Sequence, residues 1–555
     1  MLRTLISRLF ISPARAHYRQ GEKARGREEW AKALHHYELA VHLDGSHFAA
    51  WNDLGLARCA TRDLGGAREA FSRALAIVPD SPVANLNIGH LLRDEYLEFE
   101  LAESHYRQAL AARPDFVEAL IGLGLCLQEQ GFVGEATRCY RDALDRDPAS
   151  IEAHECLLFA LNLLPGQAPE AVFAEHRRWA SRIPGKGTLQ PPARAPGARL
   201  RVGFVSGDFR AHATAALVFP VLAELDRTRF EVFCYSTSNQ GDAYTERFTE
   251  LSEHWRNIHG RTAAQSAELI RRDGIDILID LSGHTRCNRL DVFAQNPAPV
   301  AATWLGYLNT TGLAAMRYRI TDAQVDPPGA SEAFHCETLL RLPDTLWCFD
   351  PPADAPDLHA PLDGYPLTFG SCNHVAKINA AVLGVWARLL KAVPDSRLLV
   401  MAVPGERAGA RIRRELGGSG IDLQRIETIG RLSRERYWQE LRGVDIALDP
   451  FPYNGGATTC ECLWMGVPVV TLAGRFGFAR TGASILSCVD RKEWIANDES
   501  QYLAIAAGLA RERDLLGRSR MSLRDRVLAS PLTKAPRFAR AFERALLQAC
   551  AAVNR

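Results

Sequence analysis

A chain of 555 residues is roughly three to four times longer than a typical single domain, so it should fold as several domains with ample hydrophobic cores. Its 66 Lys and Arg nearly balance 65 Asp and Glu, a net charge of +1 that argues against a strongly basic nucleic-acid binder or a polybasic membrane anchor. Hydrophobic residues at 47% and charged residues at 24% exclude disorder of the whole chain.

The cysteines and the N-terminus bear on the compartment. The 13 cysteines are odd in number and scattered, a pattern typical of reduced thiols in the cytoplasm. The apolar stretch in residues 1–10 is interrupted by Arg3 and Arg8, and no apolar run approaches the roughly 18 residues that a membrane helix needs. We therefore expect a cytoplasmic protein without a membrane segment, beginning with a short amphipathic helix over residues 1–10.

A period of about 34 residues repeats four times over residues 14–150. In the best-defined unit, small Gly and Ala residues let two helices approach closely, and large residues fill the groove between them. Pro79 ends the second helix. Its marker residues are Leu54, Gly55, Ala67, Phe71 and Ala74. The other units carry Gly21, Ala33, Tyr37 and Ala40; Ala102, Tyr106, Ala109 and Pro114, after a one-residue slip; and Leu123, Gly124, Ala136, Tyr140, Ala143 and Pro148. The pattern predicts four tetratricopeptide repeats, whose concave face suits extended protein or peptide partners.

Residues 151–199 have a different character. A helical pattern over residues 151–182 is followed by a segment rich in Pro and Gly that ends at Gly197. We predict a helical extension and a linker over 151–199, with a domain boundary in the Pro- and Gly-rich segment.

From Leu200 onward, short apolar runs alternate with helical patterns such as Ala263–Arg272. The runs are Leu200–Ser206, Phe230–Tyr235, Ile275–Leu281 and Val300–Leu305, and then Leu367–Ser371, Arg397–Ala402, Arg425–Ile429, Asp445–Asp449 and Val467–Leu472. This alternation predicts two Rossmann-like domains over residues 200–355 and 356–555, joined near Pro351–Pro366. Because ligands of open parallel sheets bind beyond the carboxyl ends of the strands, the cleft between the two domains is the expected active site.

Two segments of the second domain are candidates for binding phosphate. No Gly-x-Gly-x-x-Gly follows a strand and no P-loop motif is present, so the sequence does not support a dinucleotide oxidoreductase or a P-loop ATPase. Residues 454–461 follow a predicted strand, open a helical stretch and combine small residues with the hydroxyls of Thr458 and Thr459. Lys377, after another strand, can neutralise a leaving pyrophosphate without a metal. The alternatives are an ordinary strand-to-helix turn and a solvated lysine.

The first domain offers two histidines at strand ends, His212 and His284, each of which can act as a base or as a structural hydrogen bonder. Metal-binding motifs are weak: Asp145-Arg146-Asp147 has the spacing of an Asp-x-Asp motif but falls at a predicted helix end, and Cys460-x-Cys462 lacks a second pair of ligands. The sequence therefore predicts no metal site.

Together these residues resemble the O-linked N-acetylglucosamine transferase and SPINDLY-like family, in which tetratricopeptide repeats precede a glycosyltransferase. The resemblance runs from the repeats almost to the C-terminus, and its most specific blocks are residues 201–209, 296–300, 304–307 and 449–466. It implies an all-α tetratricopeptide superhelix followed by an α/β GT-B fold, and an inverting, metal-independent reaction without a cofactor.

The resemblance also implies catalytic roles for individual residues. His212 takes the place of the family's active-site His, with Asp208 and Thr214 beside it, and Lys377 takes that of the pyrophosphate-binding Lys. His374 stands where the family has a Gln.

The nucleoside end of the donor site is implied in the same way. Tyr437 replaces a base-stacking His, Arg434 replaces a nearby Lys, and Glu461 falls on the acidic residue that binds the ribose hydroxyls. Thr458 and Thr459 lie at or next to the family's Thr pair, and Gly456 precedes them at the helix start.

The sequence departs from the family pattern in two loops, where Leu308-Asn309 replaces the usual Pro-Gly and Asn296 replaces an Arg. The expected activity is transfer of N-acetylglucosamine from UDP-N-acetylglucosamine to Ser or Thr of proteins, with acceptors bound by the repeats and neither nucleic acid nor membrane as a partner. The alternatives are a SPINDLY-like protein O-fucosyltransferase using GDP-fucose and a non-catalytic repeat scaffold.

Overall fold

The computed structural model describes residues 12–185, 197–358 and 366–553. The helix expected over residues 1–10, most of the Pro- and Gly-rich boundary and much of the predicted joint between the two α/β domains lie outside the described residues. Within the described part, no helix combines the length and the apolar character needed to cross a membrane.

Helical pairs form the N-terminal region, which confirms the predicted tetratricopeptide array. Its helices are α1 (Pro13–Arg25), α2 (Trp30–Leu43), α3 (Phe48–Ala60), α4 (Leu64–Ile77), α5 (Pro82–Leu91), α6 (Phe99–Ala112), α7 (Val117–Glu129) and α8 (Val133–Arg146). In each pair a glycine of the first helix lies against an aromatic ring of the second, because a side chain there would collide with the ring. The pairs are Gly21–Tyr37, Gly55–Phe71, Gly89–Tyr106 and Gly124–Tyr140.

The one-residue slip of the third repeat has a structural cause. Helix α5 ends in a π-helical turn over Leu92–Tyr96, and the next residue, Leu97, is left-handed with φ 56°. A π turn holds one more residue than an α turn. The amide of Glu98 donates to the carbonyl of Leu92 at 2.9 Å, which closes the turn just before α6 begins.

The described residues separate into two compact units. The first holds the repeats up to Ala153 together with Pro404–Arg407, and the second holds His154–Val403 and the chain from Ala408 onward. Most of the extension, helices α9 (Ile151–Leu163) and α10 (Pro169–Ala180), therefore groups with the α/β unit.

The first half of the α/β unit is a seven-stranded parallel sheet in the order β3-β2-β1-β4-β5-β6-β7. Its strands are β1 (Leu200–Ser206), β2 (Phe230–Ser236), β3 (His254–Asn257), β4 (Ile277–Asp280), β5 (Val300–Trp304), β6 (Tyr318–Asp322) and β7 (Thr338–Leu342). The helices between them are α11 (Ala213–Glu224), α12 (Ala243–Leu251), α13 (Ala263–Arg272) and α14 (Leu290–Phe293).

The second half is a six-stranded parallel sheet in the order β10-β9-β8-β11-β12-β13. Its strands are β8 (Leu367–Ser371), β9 (Ser396–Val400), β10 (Ile426–Thr428), β11 (Ile446–Leu448), β12 (Val469–Leu472) and β13 (Ile495–Ala496). Its helices are α15 (Ala380–Ala392), α16 (Glu406–Gly418), α17 (Arg434–Arg442), α18 (Ala457–Trp464), α19 (Thr481–Cys488), α20 (Glu499–Arg511), α21 (Arg513–Ala529) and α22 (Ala535–Val553). The C-terminal helix α22 returns to pack on α11 and β7 of the first half. Two parallel-sheet domains after a repeat array are the predicted fold class, which is thereby confirmed.

Candidate active site

In the first half, the loop after β1 carries the predicted catalytic pair. Asp208 donates its amide to Ser206 Oγ at 2.9 Å, which turns the chain out of the strand. His212 caps α11, because its Nδ1 accepts a hydrogen bond from the amide of Thr214 at 3.2 Å. Asp208 Oδ2 lies 3.6 Å from His212 Nδ1, and the His212 side chain is 43% exposed. The structure thus brings Asp208, His212 and Thr214 together in an open loop.

In the second half, a buried carboxylate organises the start of α18. Asp449, just after β11, accepts hydrogen bonds from the Gly455 amide at 2.6 Å and from Thr471 Oγ1 at 2.6 Å. Asn373, after β8, lies 3.5 Å from the same carboxylate through its Nδ2. Burial raises the pKa of Asp449 to about 7. These bonds fix the loop so that the N-terminal amides of α18, with their partial positive charge, open at the carboxyl end of the sheet.

Lys377 reaches the same place from the neighbouring strand. It lies in a single 3₁₀ turn, Val375–Lys377, and its Nζ donates to the Asn454 carbonyl at 2.8 Å and to Asn373 Oδ1 at 3.2 Å. Burial lowers the pKa of this ammonium to about 8, while the Asp449 carboxylate opposes that shift. At neutral pH the group is therefore mostly charged. The solvated-lysine alternative does not describe it.

A tyrosine and a glutamate pair at the predicted nucleoside end. Tyr437, on α17, donates its hydroxyl to Glu461 Oε2, on α18, at 2.8 Å. Burial raises the pKa of Glu461. The residues predicted to bind the nucleoside, Tyr437 and Glu461, thus contact each other. Thr458 lies one helical turn before Glu461, and the Thr458 hydroxyl donates to Asn373 Oδ1 at 3.3 Å.

The remaining residues predicted to bind the sugar donor differ in their exposure and in their hydrogen bonds. Arg434 forms a two-pronged ion pair with Asp354, its Nε and Nη2 lying 2.7 and 3.0 Å from the carboxylate oxygens, and this bond raises the pKa of the guanidinium. Thr459 is buried and donates its hydroxyl to the Gly455 carbonyl at 3.1 Å, so that hydroxyl serves the helix start. His374 is exposed and its Nδ1 accepts from the Ala376 amide at 3.2 Å. A Cβ on Gly456 would lie 3.0 Å from the Trp347 ring.

The second histidine candidate, His284, lies in the core. Its Nε2 is 2.9 Å from the Thr311 carbonyl, and its ring packs edge-on against Trp179 at a centroid distance of 4.4 Å. Burial lowers its pKa well below the usual range. The sequence left two roles open for His284, a catalytic base and a structural hydrogen-bonding residue. The structure supports the second.

The two halves are joined by polar contacts near the carboxyl ends of their strands. Ser484 of α19 donates to Asp322 Oδ2 at 2.6 Å, and Thr345 Oγ1 lies 3.3 Å from the same hydroxyl. Helices α11 and α18, whose N-termini carry His212 and the Gly-rich loop, contact each other. The two halves therefore contact each other through the helices that follow these loops.

The loop in which Leu308-Asn309 departs from the family pattern is bonded to the helical extension. Asn309 Nδ2 donates to Asn162 Oδ1 at 3.0 Å, and Asn162 Nδ2 donates to the Tyr307 hydroxyl at 2.8 Å. His176 Nε2 also lies 2.8 Å from that hydroxyl. Burial lowers the pKa of His176 to about 4, so the ring is neutral and this junction carries no extra charge.

Sequence reasoning missed the supporting residues Asn373, Asp449 and Tyr453. Asn373 and Asp449 belong to segments that the motifs singled out, but their partners lie 76 residues apart in the chain. A polar residue one or two positions after a buried strand is the signal that could have found both. Within the described residues, no group of three or more His, Cys, Asp or Glu side chains is placed to hold a metal ion.

Comparison with known proteins gives consistent results. The family described as Glycosyl transferase family 41 matches residues 150–359 and 361–542, and a tetratricopeptide repeat family matches residues 14–82 and 97–151. The solved structure of a point variant of Thermobaculum terrenum O-GlcNAc transferase superposes with a TM-score of 0.87 at 35% identity, covering 92% of this chain and 98% of that one.

Curated plant proteins are similar to most of the chain. The "Probable UDP-N-acetylglucosamine--peptide N-acetylglucosaminyltransferase SPINDLY" of Solanum lycopersicum is 38% identical over 409 residues, which is 72% of this chain and 44% of that protein. The protein of the same name from Arabidopsis thaliana is 37% identical over 411 residues, 72% of this chain and 45% of its own length. This chain thus spans less than half the length of these curated relatives.

Proposed function

The chain belongs to glycosyl transferase family 41, and from that premise we propose that it transfers N-acetylglucosamine from UDP-N-acetylglucosamine to Ser or Thr hydroxyls of proteins. The observation that carries the proposal is the partly buried Lys377 ammonium held beside the N-terminus of α18. A diphosphate is the leaving group whose growing charge this arrangement suits. The names of the similar proteins support the choice of sugar and acceptor.

The reaction is a single in-line displacement with inversion. The acceptor hydroxyl oxygen forms a bond to the anomeric carbon while the bond from that carbon to the diphosphate oxygen breaks, and the electron pair leaves with UDP. Lys377 and the amides at the start of α18 stabilise the charge on the departing diphosphate, without a metal ion or cofactor. Tyr437 and Glu461 bind the nucleoside, Glu461 through the ribose hydroxyls, while Arg434 borders that end and Thr458 the phosphates.

His212 acts as an organiser rather than as the base. Its Nδ1 accepts the Thr214 amide, so the ring proton lies on Nε2, which then donates. A donor at that position orients an oxygen of the sugar donor or acceptor. The acceptor proton then leaves through water or a group of the substrate.

The repeats hold protein acceptors. Each repeat pairs a glycine with an aromatic ring and so packs two helices closely, and stacked helix pairs present an extended face for a peptide. Deleting residues 14–150 should abolish modification of long protein acceptors and preserve UDP binding, with circular dichroism as the folding control.

All thirteen cysteines are free thiols in the described residues, which supports a reducing compartment such as the cytoplasm.

Two measurements test the proposal. Calorimetric titration with UDP and GDP identifies the nucleotide, and mass spectrometry of host proteins after co-expression identifies the sugar and its attachment. We expect UDP binding and a mass increase of one N-acetylhexosamine on Ser or Thr. Preferential GDP binding with deoxyhexose addition would instead support a fucosyltransferase, and binding without any addition a non-catalytic scaffold.

A further inference from the structure

An aromatic ring lies directly against the ammonium of Lys377. Tyr453 follows β11 in the loop that leads to α18, and its ring centroid is 4.7 Å from Lys377 Nζ. A cation within about 6 Å of a ring face is attracted by the negative charge of the π system. The residue next in the chain, Asn454, accepts a hydrogen bond from the same Nζ at 2.8 Å. A ring and a carbonyl from adjacent residues thus hold the ammonium together.

The ring of Tyr453 is itself held between other aromatic side chains. Phe478 stacks on it at a centroid distance of 5.3 Å and an interplanar angle of 18°, and Phe159 of α9 lies 6.2 Å from it. The Asn454 amide donates to the Phe478 carbonyl at 3.0 Å, which ties the backbone of the two loops. These two ring contacts leave Tyr453 little freedom to turn away from Lys377.

We propose that Tyr453 is a positioning residue, whose ring fixes the Lys377 ammonium where the leaving diphosphate gathers charge. This inference rests on the proposed function for its substrate, while the contact itself is independent of which sugar is transferred. Phe159 extends the role to the helical extension, because its ring contacts that of Tyr453.

The groups around the Lys377 ammonium determine how the loss of the Tyr453 ring would change its pKa. In the described residues, Asp449 is the ionisable side chain that acts on Lys377, and Asn373 and Asn454 face it as neutral acceptors. Burial raises the pKa of the Tyr453 phenol to about 12, so the ring remains neutral. Burial and Asp449 set the Lys377 pKa at about 8, and the ring favours the charged form. Removing the ring should therefore lower the pKa further.

The test compares three variants of the full chain with the wild type. Tyr453→Leu removes the ring, Tyr453→Phe keeps it without the hydroxyl, and Phe476→Leu removes a ring that stacks on Phe478 at 4.8 Å, one place further from Lys377. The transfer rate is measured from pH 6.5 to 9.5. We expect the alkaline limb of the Tyr453→Leu profile to move down by about 0.5–1 pH unit, with a rate at pH 8 reduced about two- to fivefold. The Tyr453→Phe and Phe476→Leu profiles should keep the wild-type midpoint.

A second measurement separates this inference from the proposed function. Titrations with UDP and UMP, or GDP and GMP if guanine nucleotides bind, report on the diphosphate position without any turnover. Tyr453→Leu should weaken the diphosphate several-fold and leave the monophosphate unchanged, even if no sugar is transferred. An unchanged ratio of diphosphate to monophosphate affinity in Tyr453→Leu, or an equal loss in Phe476→Leu, would overturn the inference. Absent transfer with the expected binding change would overturn the proposed function alone.

Discussion

The two halves of the α/β unit both place a polar loop at the carboxyl end of a central strand, but they build it differently. In the second half, Asp449 receives two hydrogen bonds at 2.6 Å, and Lys377 donates to two acceptors. In the first half, the Asp208 carboxylate lies 3.6 Å from His212 and 3.8 Å from Arg210, and the His212 side chain is 43% exposed. One loop is closely bonded, and the other is open to solvent.

The difference is the one that the proposed function requires of the two loops. Stabilising a growing charge requires a cation fixed before the reaction, because reorganising dipoles during the reaction would raise the barrier. A loop that admits a second substrate needs accessible side chains instead. We therefore expect substitutions in the second-half loop to have large effects and those in the first-half loop to have smaller ones.

Removing the Lys377 ammonium should have the largest effect. Lys377→Ala should reduce transfer by about 100-fold or more, corresponding to roughly 3 kcal/mol for one preorganised charge-stabilising group, while UDP affinity falls less. Lys377→Arg should recover little, because a guanidinium fork does not fit the place of a compact ammonium. Turnover rates and UDP titrations of the folded variants measure this. A near wild-type rate in Lys377→Ala would mean that the closely bonded loop has no catalytic role.

The Asp449 carboxylate should make stability depend on pH. Its folded pKa of about 7 exceeds the usual value near 4, so between these values the folded chain keeps a proton that the unfolded chain has lost. The free energy of unfolding therefore falls as pH rises through this window. Between pH 5 and pH 7.5, the free energy of unfolding in urea should fall by about 2 kcal/mol more in the wild type than in Asp449→Asn. Equal pH dependence in both proteins would show that the carboxyl is not held as described.

Removing the Tyr437 hydroxyl should have a moderate effect. Tyr437→Phe keeps the ring but deprives Glu461 of its 2.8 Å hydrogen bond, so we expect about fivefold weaker UDP binding, as for about 1 kcal/mol. Calorimetry measures the affinity. Tyr318→Phe serves as a matched control, since its hydroxyl donates to the Ala549 carbonyl at 3.4 Å at the amino end of β6, and it should bind UDP as the wild type does.

Changing Asp208 beside His212 should have a small effect. The two side chains approach only to 3.6 Å and that of His212 is 43% exposed, so their contact should contribute about 0–1 kcal/mol. Asp208→Asn should therefore lower the transfer rate by no more than about fivefold. A loss approaching that of Lys377→Ala would contradict the expected difference between the two loops. It would indicate that both loops are equally sensitive to substitution when both substrates are bound.

Chelation should have the smallest effect of all. Because charge neutralisation is assigned to Lys377 and to the amides of α18, EDTA should leave the transfer rate nearly unchanged. A loss of activity that Mn²⁺ or Mg²⁺ restores would contradict this assignment.

Elements with a regular pattern could be predicted from sequence. The repeats and the nine apolar runs were found, because each carried either a fixed period or a continuous buried face. Strands β3, β6, β7 and β13 were missed. The sequences of β6 and β7 include charged residues such as Arg319, which is 1% exposed and paired with Asp326 in the core. Burial of a charged side chain depends on a partner that no local pattern reveals.

The candidate site was predicted in part for the same reason. Lys377 and Glu461 follow from local motifs and the family resemblance, and the structure gives each a specific partner. The pairing of Arg434 with Asp354 and of Lys377 with Tyr453 joins segments about 80 residues apart. Such pairings depend on the order of strands in the sheet, which the motifs do not encode.

The π turn at Leu92–Tyr96 has a consequence for how the array can change. Glycine and aromatic partners are separated by 16 residues in three repeats, as in Gly55–Phe71, and by 17 in Gly89–Tyr106. One added residue in a continuous helix would rotate everything beyond it by about 100°. Widening a single turn absorbs that rotation locally, so Tyr106 still meets its glycine. A repeat can therefore gain a residue at its hairpin without losing phase with its neighbours, so the length of a repeat can change while the packing of its helix pair is kept.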